Sequence, residues 1–297
     1  MSDSSGTWTV RRLLEWTAGF FDRKQVDSPR LSAELLLSYV LQSPRIKLYT
    51  DYERLLAQKD LDAFRELVRR AGEQEPIAYL TGRAHFFGIE LLVTPAVLIP
   101  RPDTETVVEH LLQWVRHQTD LPAPRVLDLC TGSGAIAAAV ASRLNAASVV
   151  AIDVSEKACE VARLNIEKLG LAGRVTVLQG DLFEPLTGTV YGQPFDLITA
   201  NPPYIPSGNI AALDRNVRDY EPHLALDGGP DGLAVIQRIL ESAARHLLPG
   251  GQLFIEMQFD QGAATRKLAE LAGSYDQIKI LKDFGGKERV LQARRAE

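Results

Sequence analysis

The chain predicts an α/β fold, a parallel sheet closed by an antiparallel hairpin, with a small all-helical domain in front of it. Three observations carry this. From Arg125 onward, short apolar runs alternate with helix-length amphipathic stretches, the pattern of parallel strands joined by helical crossovers. The last two apolar runs are joined only through Phe284-Gly285-Gly286, a link too short for a crossover, so they must pair antiparallel. Residues 7 to about 75, in contrast, carry helical spacing and helix-start signals.

In that first region Leu13, Leu14, Trp16, Phe20 and Phe21 recur near helical spacing. Ser28-Pro29 predicts an N-cap with proline in the first turn before Leu31, Ala33, Leu35, Leu36 and Val40. Ser43-Pro44 gives another start signal, and a charged amphipathic stretch runs through Leu61, Leu67 and Val68. From Glu75 the pattern changes to Pro76-Ile77-Ala78-Tyr79-Leu80-Thr81-Gly82. Two strand-like segments follow, Phe86–Val93 and Val97–Ile99, punctuated by Gly88 and Thr94-Pro95, which predicts a hairpin between two domains. The expected organisation is a helical docking domain at 1–82, a hairpin linker at 83–100 and a catalytic domain at 101–297.

A helix with apolar face Val107, Val108, Leu111, Leu112 and Val115 opens after Arg101-Pro102-Asp103-Thr104-Glu105. The macrodipole accounts for Asp103 and Glu105 at a helix start, but not for Arg101 just outside it. The strands then read as Val126–Leu129, Val149–Ile152, Val175–Leu178, Phe195–Ala200 and Leu253–Glu256. Helices fall between them at about 133–144, 155–168, 232–247 and 260–272, and the closing strands lie around Ile278–Leu281 and Arg289–Gln292.

Composition narrows the function. A net charge of -5 argues against bare nucleic acid as the main partner, because phosphate binding requires a basic face. Cys130 and Cys159 show no CxxC or Cys/His spacing and the five histidines are scattered, so neither a disulfide framework nor a metal site is expected. Met1–Gly6 lacks a signal pattern and no apolar stretch reaches membrane-spanning length, so the expected location is cytoplasmic.

Two stretches carry chemistry. Asn201-Pro202-Pro203-Tyr204 follows an apolar strand, at the edge where open α/β sheets bind ligands. The prolines fix the backbone and remove two donors, leaving carbonyls that only accept. Asn201 Oδ1 and the Pro202 carbonyl are therefore suited to the two protons of an NH2 group, and the Tyr204 ring to the planar group that carries it. Taken alone, the four residues read equally well as a tight turn over a buried tyrosine.

The second stretch is Asp128-Leu129-Cys130-Thr131-Gly132-Ser133-Gly134-Ala135-Ile136-Ala137, whose glycines allow backbone to approach a ligand at a helix start. With Asp153 at the ribose distance this also satisfies the dinucleotide fingerprint, so the glycines do not decide between NAD and S-adenosylmethionine. Asp128 favours the second, since an anion entering the loop would repel a pyrophosphate but attract an ammonium and a sulfonium. Asp181, after the third strand, is suited to an adenine amine, with Leu182 or Phe183 against the ring.

These segments together resemble the HemK/PrmC family, the protein-(glutamine-N5) methyltransferases of bacterial class I peptide chain release factors. The resemblance extends to Glu75–Gly82, Ile99–Glu105, Tyr220-Glu221-Pro222, Leu224-Ala225-Leu226, Gly228-Gly229, Asp231-Gly232-Leu233 and Pro249-Gly250-Gly251. It implies a class I S-adenosylmethionine-dependent methyltransferase, Rossmann-like and seven-stranded, behind a helical amino-terminal domain. Asp128, Thr131, Gly132, Gly134, Asp153, Asp181, Leu182, Phe183 and Asn201 would then hold S-adenosylmethionine, with S-adenosylhomocysteine as product and no metal. Asn201, Pro202, Pro203 and Tyr204 would bind the Gln amide of a Gly-Gly-Gln tip, in support of translation termination. Arg101 and Glu221 are held as wall or substrate contacts, with a structural ion pair at least as good a reading. Cys130 and Gln258 stand where glycine is frequent in the family.

Three other readings compete. A glutamine methyltransferase acting on a ribosomal protein is opposed by the Arg101–Glu105 segment. An adenine-N6 nucleic-acid methyltransferase shares the amine site but is disfavoured by the acidic charge. A non-catalytic relative would predict erosion at Asp128, Gly132 or Asn201, and all three are intact.

Overall fold

The computed structural model of the chain describes residues 8–297, so the polar start at Met1–Gly6 lies outside the described residues. The chain divides into two compact units. Residues to Arg83 together with Asp214–Tyr220 form one, and Ala84–Leu213 with Glu221–Glu297 the other.

The first unit is helical: α1 (Val10–Arg23), α2 (Pro29–Val40), α3 (Arg45–Thr50), α4 (Gln58–Gly72) and α5 (Ile77–Thr81). Thr9 starts α1, its hydroxyl accepting from the Arg12 amide at 3.3 Å. Pro29 does open α2, but Ser28 is no side-chain cap: its backbone is left-handed, at φ 46°, and its hydroxyl caps nothing. Likewise Pro44, not Ser43, takes the cap position of α3. Leu13, Leu14, Phe21, Leu36, Leu37 and Phe64 make the core, and Trp16 and Phe20 pack on it half-buried. Glu34 is buried on α2 and accepts from Arg30 and Arg45 at 2.8 Å each and from the Tyr49 hydroxyl. Burial opposes its charge, but the three donors together hold its carboxyl below the usual range.

The hairpin that follows is shorter than expected. Strands β1 (Arg83–Phe86) and β2 (Ile89–Leu92) turn through Phe87-Gly88, both at positive φ as a two-residue hairpin requires. Val97–Ile99 is therefore no strand, because the hairpin has already closed before Thr94-Pro95. Phe86 and Leu91 pack under α6 (Glu105–Arg116), and Glu105 accepts from the Phe87 amide at 2.7 Å.

Beyond α6 the chain alternates as expected: β3 (Arg125–Leu129), α7 (Ala135–Arg143), β4 (Ser148–Asp153), α8 (Glu156–Lys168), β5 (Val175–Gln179) and β6 (Phe195–Ala200). The short α9 (Arg215–Arg218) falls in the helical unit. Then come α10 (Ala234–Ala243), β7 (Leu247–Glu256), α11 (Gly262–Ala272), β8 (Tyr275–Lys282) and β9 (Glu288–Arg295). The seven-stranded sheet has the order β5-β4-β3-β6-β7-β9-β8, with the first five strands parallel and β9 antiparallel to both neighbours.

Alternate residues face opposite layers, as a sheet covered on both sides demands. Val126, Ala151, Leu197 and Phe254 pack with α6 and α7, while Leu127, Ile152, Ile198 and Ile255 pack with α10. The order reverses at β3, which has β4 on one side and β6 on the other. A crevice must open between the loops leaving β3 and β6, and those loops are the Gly-rich turn and Asn201–Tyr204.

Candidate active site

A cavity of about 320 Å³ lies at that reversal. Thr131, Gly132, Asp153, Asp181 and Leu182 line it on one side, and Thr104, Asn201 and Pro203 on the other. The two segments singled out in the sequence thus share one space.

On the first side the Gly-rich turn is held from below. Asp153 Oδ2 accepts from the Gly132 amide at 2.8 Å and its Oδ1 from the Ser155 amide at 2.9 Å. Gly132 has φ 55°, and a Cβ built there would meet open space, so the glycine leaves room for a ligand against the turn. Asp128 does not reach the cavity. It is fully buried, its oxygens taken by the Thr131 hydroxyl at 2.6 Å and the Thr199 hydroxyl at 2.9 Å. Burial pushes its carboxyl up to about 6 against those two donors.

Gly134 and Phe183 also stand behind the wall. Gly134 holds the left-handed entry to α7, and Phe183 stacks on His246 at 4.5 Å between ring centres. Asp181 pairs with Arg238 of α10 at 2.7 Å, and both face the cavity. Sequence reading gave no sign of Arg238, which sits 57 residues from its partner.

On the second side Asn201 donates through Nδ2 to the Thr104 hydroxyl at 3.1 Å. Among the described residues its Oδ1 takes no hydrogen bond and remains an acceptor beside the cavity. Pro203 forms the wall, whereas Pro202 is buried and Tyr204 stands behind, its hydroxyl donating to Glu256 Oε1 at 3.1 Å. Burial first, and then the Glu256 charge, push the Tyr204 phenol well above its ordinary range. The loop is clamped from outside: Gln261 Nε2 donates to the Tyr204 carbonyl at 2.9 Å, and Ile205 exchanges backbone bonds with Leu226 and Gly228.

Arg101 and Glu221 pair with each other and neither lines the cavity. Glu221 is buried and also accepts from the Ile99 amide at 3.2 Å. Burial raises its carboxyl, which the Arg101 charge only partly offsets. The pair thereby ties the segment before α6 to the loop after Asn201–Tyr204, and their neighbours Pro100 and Pro222 face the cavity.

The chain has matches among known proteins. A model described as the PrmC N-terminal domain matches residues 12–82, and one described as conserved hypothetical protein 95 matches 88–238. The release factor glutamine methyltransferase of Rhodopirellula baltica is 44% identical over 290 residues, 97% of each chain. That of Geobacter sulfurreducens is 41% identical over 99% of each. The chain belongs to the release factor glutamine methyltransferase family.

Solved structures agree on the fold. A methyltransferase from Pyrococcus furiosus superposes with TM-score 0.52 at 23% identity, over 71% of this chain and 91% of that one. The human methyltransferase 10 domain containing protein gives 0.53 at 15% identity, over 71% and 89%.

Within this glutamine methyltransferase family two departures now have a physical reading. Cys130 adopts φ 55°, a left-handed conformation that favours glycine, yet its side chain is small enough to join the cavity wall. Gln258, in contrast, points its consequences elsewhere: its amide bonds Gln261 Oε1 at 3.0 Å and it does not face the cavity.

Three buried residues that hold the site escaped sequence reading. Asn165 of α8 bonds both backbone groups of Leu92 and the Ser133 carbonyl, at 2.6, 2.9 and 2.9 Å, fastening the hairpin to the Gly-rich turn. Gln261 clamps Tyr204 from the start of α11. Glu256 receives its hydroxyl.

Proposed function

We propose that the chain methylates the side-chain amide nitrogen of the glutamine at the tip of a class I peptide chain release factor, with S-adenosylmethionine as methyl donor. One observation carries the reading: the Gly-rich turn and Asn201 line the same cavity, so a donor on one side and an amide on the other would meet there. The wall fits the donor, because Asp153 and Asp181 suit hydroxyl and amine groups, Leu182, Ile136 and Val235 suit an adenine face, and Gly132 leaves space for it. Buried Asp128 would add the field of a carboxylate beneath the turn. Bound there, S-adenosylmethionine supplies an electrophilic methyl group on sulfur.

What the chain itself must supply is placement. An amide nitrogen is a poor nucleophile because its lone pair is delocalised. Asn201 Oδ1 accepts one amide proton and the Pro202 carbonyl the other, which raises electron density on nitrogen and fixes its direction. No side-chain base is required. Pro203, Pro100 and Leu98 shed water from the site. Tyr204, anchored on Glu256, stiffens the loop that carries Asn201 and Pro203.

A glutamine on a protein tip requires docking surface outside the cavity, and we assign that to the helical unit. The acidic charge of -5 disfavours nucleic acid as the acceptor. Labelled methyl transfer to three acceptors decides: a release factor, the same factor with its tip Gln replaced, and duplex DNA. Label on the first alone supports the reading, and label on DNA transfers it to the amino group of adenine.

A further inference from the structure

Glu256 ends β7 as a carboxylate that is 0% exposed, and one of its oxygens has no partner. Oε1 accepts from the Tyr204 hydroxyl at 3.1 Å, while Oε2 takes no hydrogen bond among the described residues. Thr104, which opens α6 and receives Asn201 Nδ2, faces the same carboxylate and favours its charge. The other charged groups near it are Arg289 on β9 and Asp103 beside Thr104. Arg289 is itself paired with Asp103 at 2.9 Å and with Asp283 at 3.4 Å, so it neutralises Glu256 only in part.

A threonine hydroxyl both donates and accepts, so Thr104 alone cannot choose which end of the Asn201 amide it faces. An ionised carboxylate only accepts. We propose that Glu256 is a positioning residue that sets the polarity of this chain: it draws the Thr104 proton toward itself, leaving Thr104 Oγ1 to accept Asn201 Nδ2 and Asn201 Oδ1 to face the substrate. The inference rests on the reading of Asn201 as acceptor for the substrate amide.

The polarity reverses when Glu256 carries a proton. It then has a donor to offer Thr104, whose own proton turns to Asn201, and the Asn201 amide flips its nitrogen into the site, where a substrate NH2 loses the Asn201 acceptor and meets a donor in its place. Burial pushes the Glu256 carboxyl up to about 7 against Thr104, Tyr204 and the Arg289 charge, which places the reversal in an accessible range. Glu256→Gln imposes the reversed polarity at every pH, since its Oε1 can still serve Tyr204 while its Nε2 donates to Thr104.

The test is turnover at saturating cofactor and release factor between about pH 5.5 and 9, with cofactor affinity measured on the same preparations. The wild-type rate should fall with unit slope below about pH 7, and Glu256→Gln should run about 10- to 100-fold slower without that limb, at unchanged cofactor affinity. Thr104→Ser should keep rate and limb, and Thr104→Val should lose both. Burial also raises the Asp128 carboxyl toward this range; cofactor saturation removes its effect on binding from the rate, and a limb that belonged to Asp128 would survive in Glu256→Gln.

A wild-type rate and limb in Glu256→Gln would overturn the inference. Should that variant misfold, shown by lost cofactor affinity, an intact limb in Thr104→Val overturns it equally. Asn201→Ala separates the two levels: if it turns over normally, the acceptor reading fails, and if it is slow while Glu256→Gln is normal, only the present inference fails.

Discussion

A Cβ on Gly232 would lie 2.3 Å from the Tyr204 carbonyl oxygen and 2.6 Å from Gln261 Nε2. The loop Asp227–Gly232 therefore wraps the Asn201–Tyr204 segment at backbone contact distance, and Gly228 faces the same limit at 2.8 Å from the Pro203 carbonyl. Gly232 also needs φ 77°, which a side chain resists. Gly232→Ala should cost about 2 kcal/mol or more in a urea unfolding experiment and lower turnover more than cofactor affinity. Gly208→Ala, at an open position of the same loop region, serves as the control and should change neither. Equal behaviour of the two variants would remove the steric argument.

The clamp of Asn165 makes a prediction on the cofactor side. It is fully buried, and truncation strands both backbone groups of Leu92 and the Ser133 carbonyl. Asn165→Ala should cost about 2–3 kcal/mol and weaken S-adenosylmethionine binding, because Ser133 belongs to the turn that carries Gly132. Calorimetric titration reads the second effect, and unchanged affinity in a destabilised variant would leave Asn165 with a purely structural role.

Asp128 makes stability depend on pH in a stated direction. Its carboxyl moves from an ordinary 3.8 up to about 6 through burial, so between those values the folded chain retains a proton that the unfolded chain has released. Stability from this group is complete below about pH 4 and is lost as pH rises through 6, on the order of 3 kcal/mol. Comparing wild type with Asp128→Asn by thermal unfolding across that window isolates it. The difference should shift in favour of the variant as pH rises, and a pH-independent difference would contradict the assignment.

How far the sequence speaks can be traced residue by residue. The strand ends bearing Asp128, Asp153, Asp181 and Asn201 are legible because apolar runs and glycines mark them within a few positions. The hairpin is misplaced because Phe87-Gly88 forms a two-residue turn, and Phe87 at positive φ carries no signature of one. Arg238, Asn165 and Glu256 go unseen for another reason: their partners lie 57, 73 and 52 residues away, and only the sheet order brings them together. Spacing also cannot tell a wall residue from one behind it, as Asp128 and Tyr204 illustrate.

The most direct test of the central claim is the rate of labelled methyl transfer to a release factor by wild type and Asn201→Ala, with cofactor affinity measured in parallel. The acceptor role of Asn201 Oδ1 predicts a loss of about 100- to 1,000-fold in turnover with S-adenosylmethionine still bound normally. A variant that binds the cofactor and methylates the tip glutamine at the wild-type rate would contradict it.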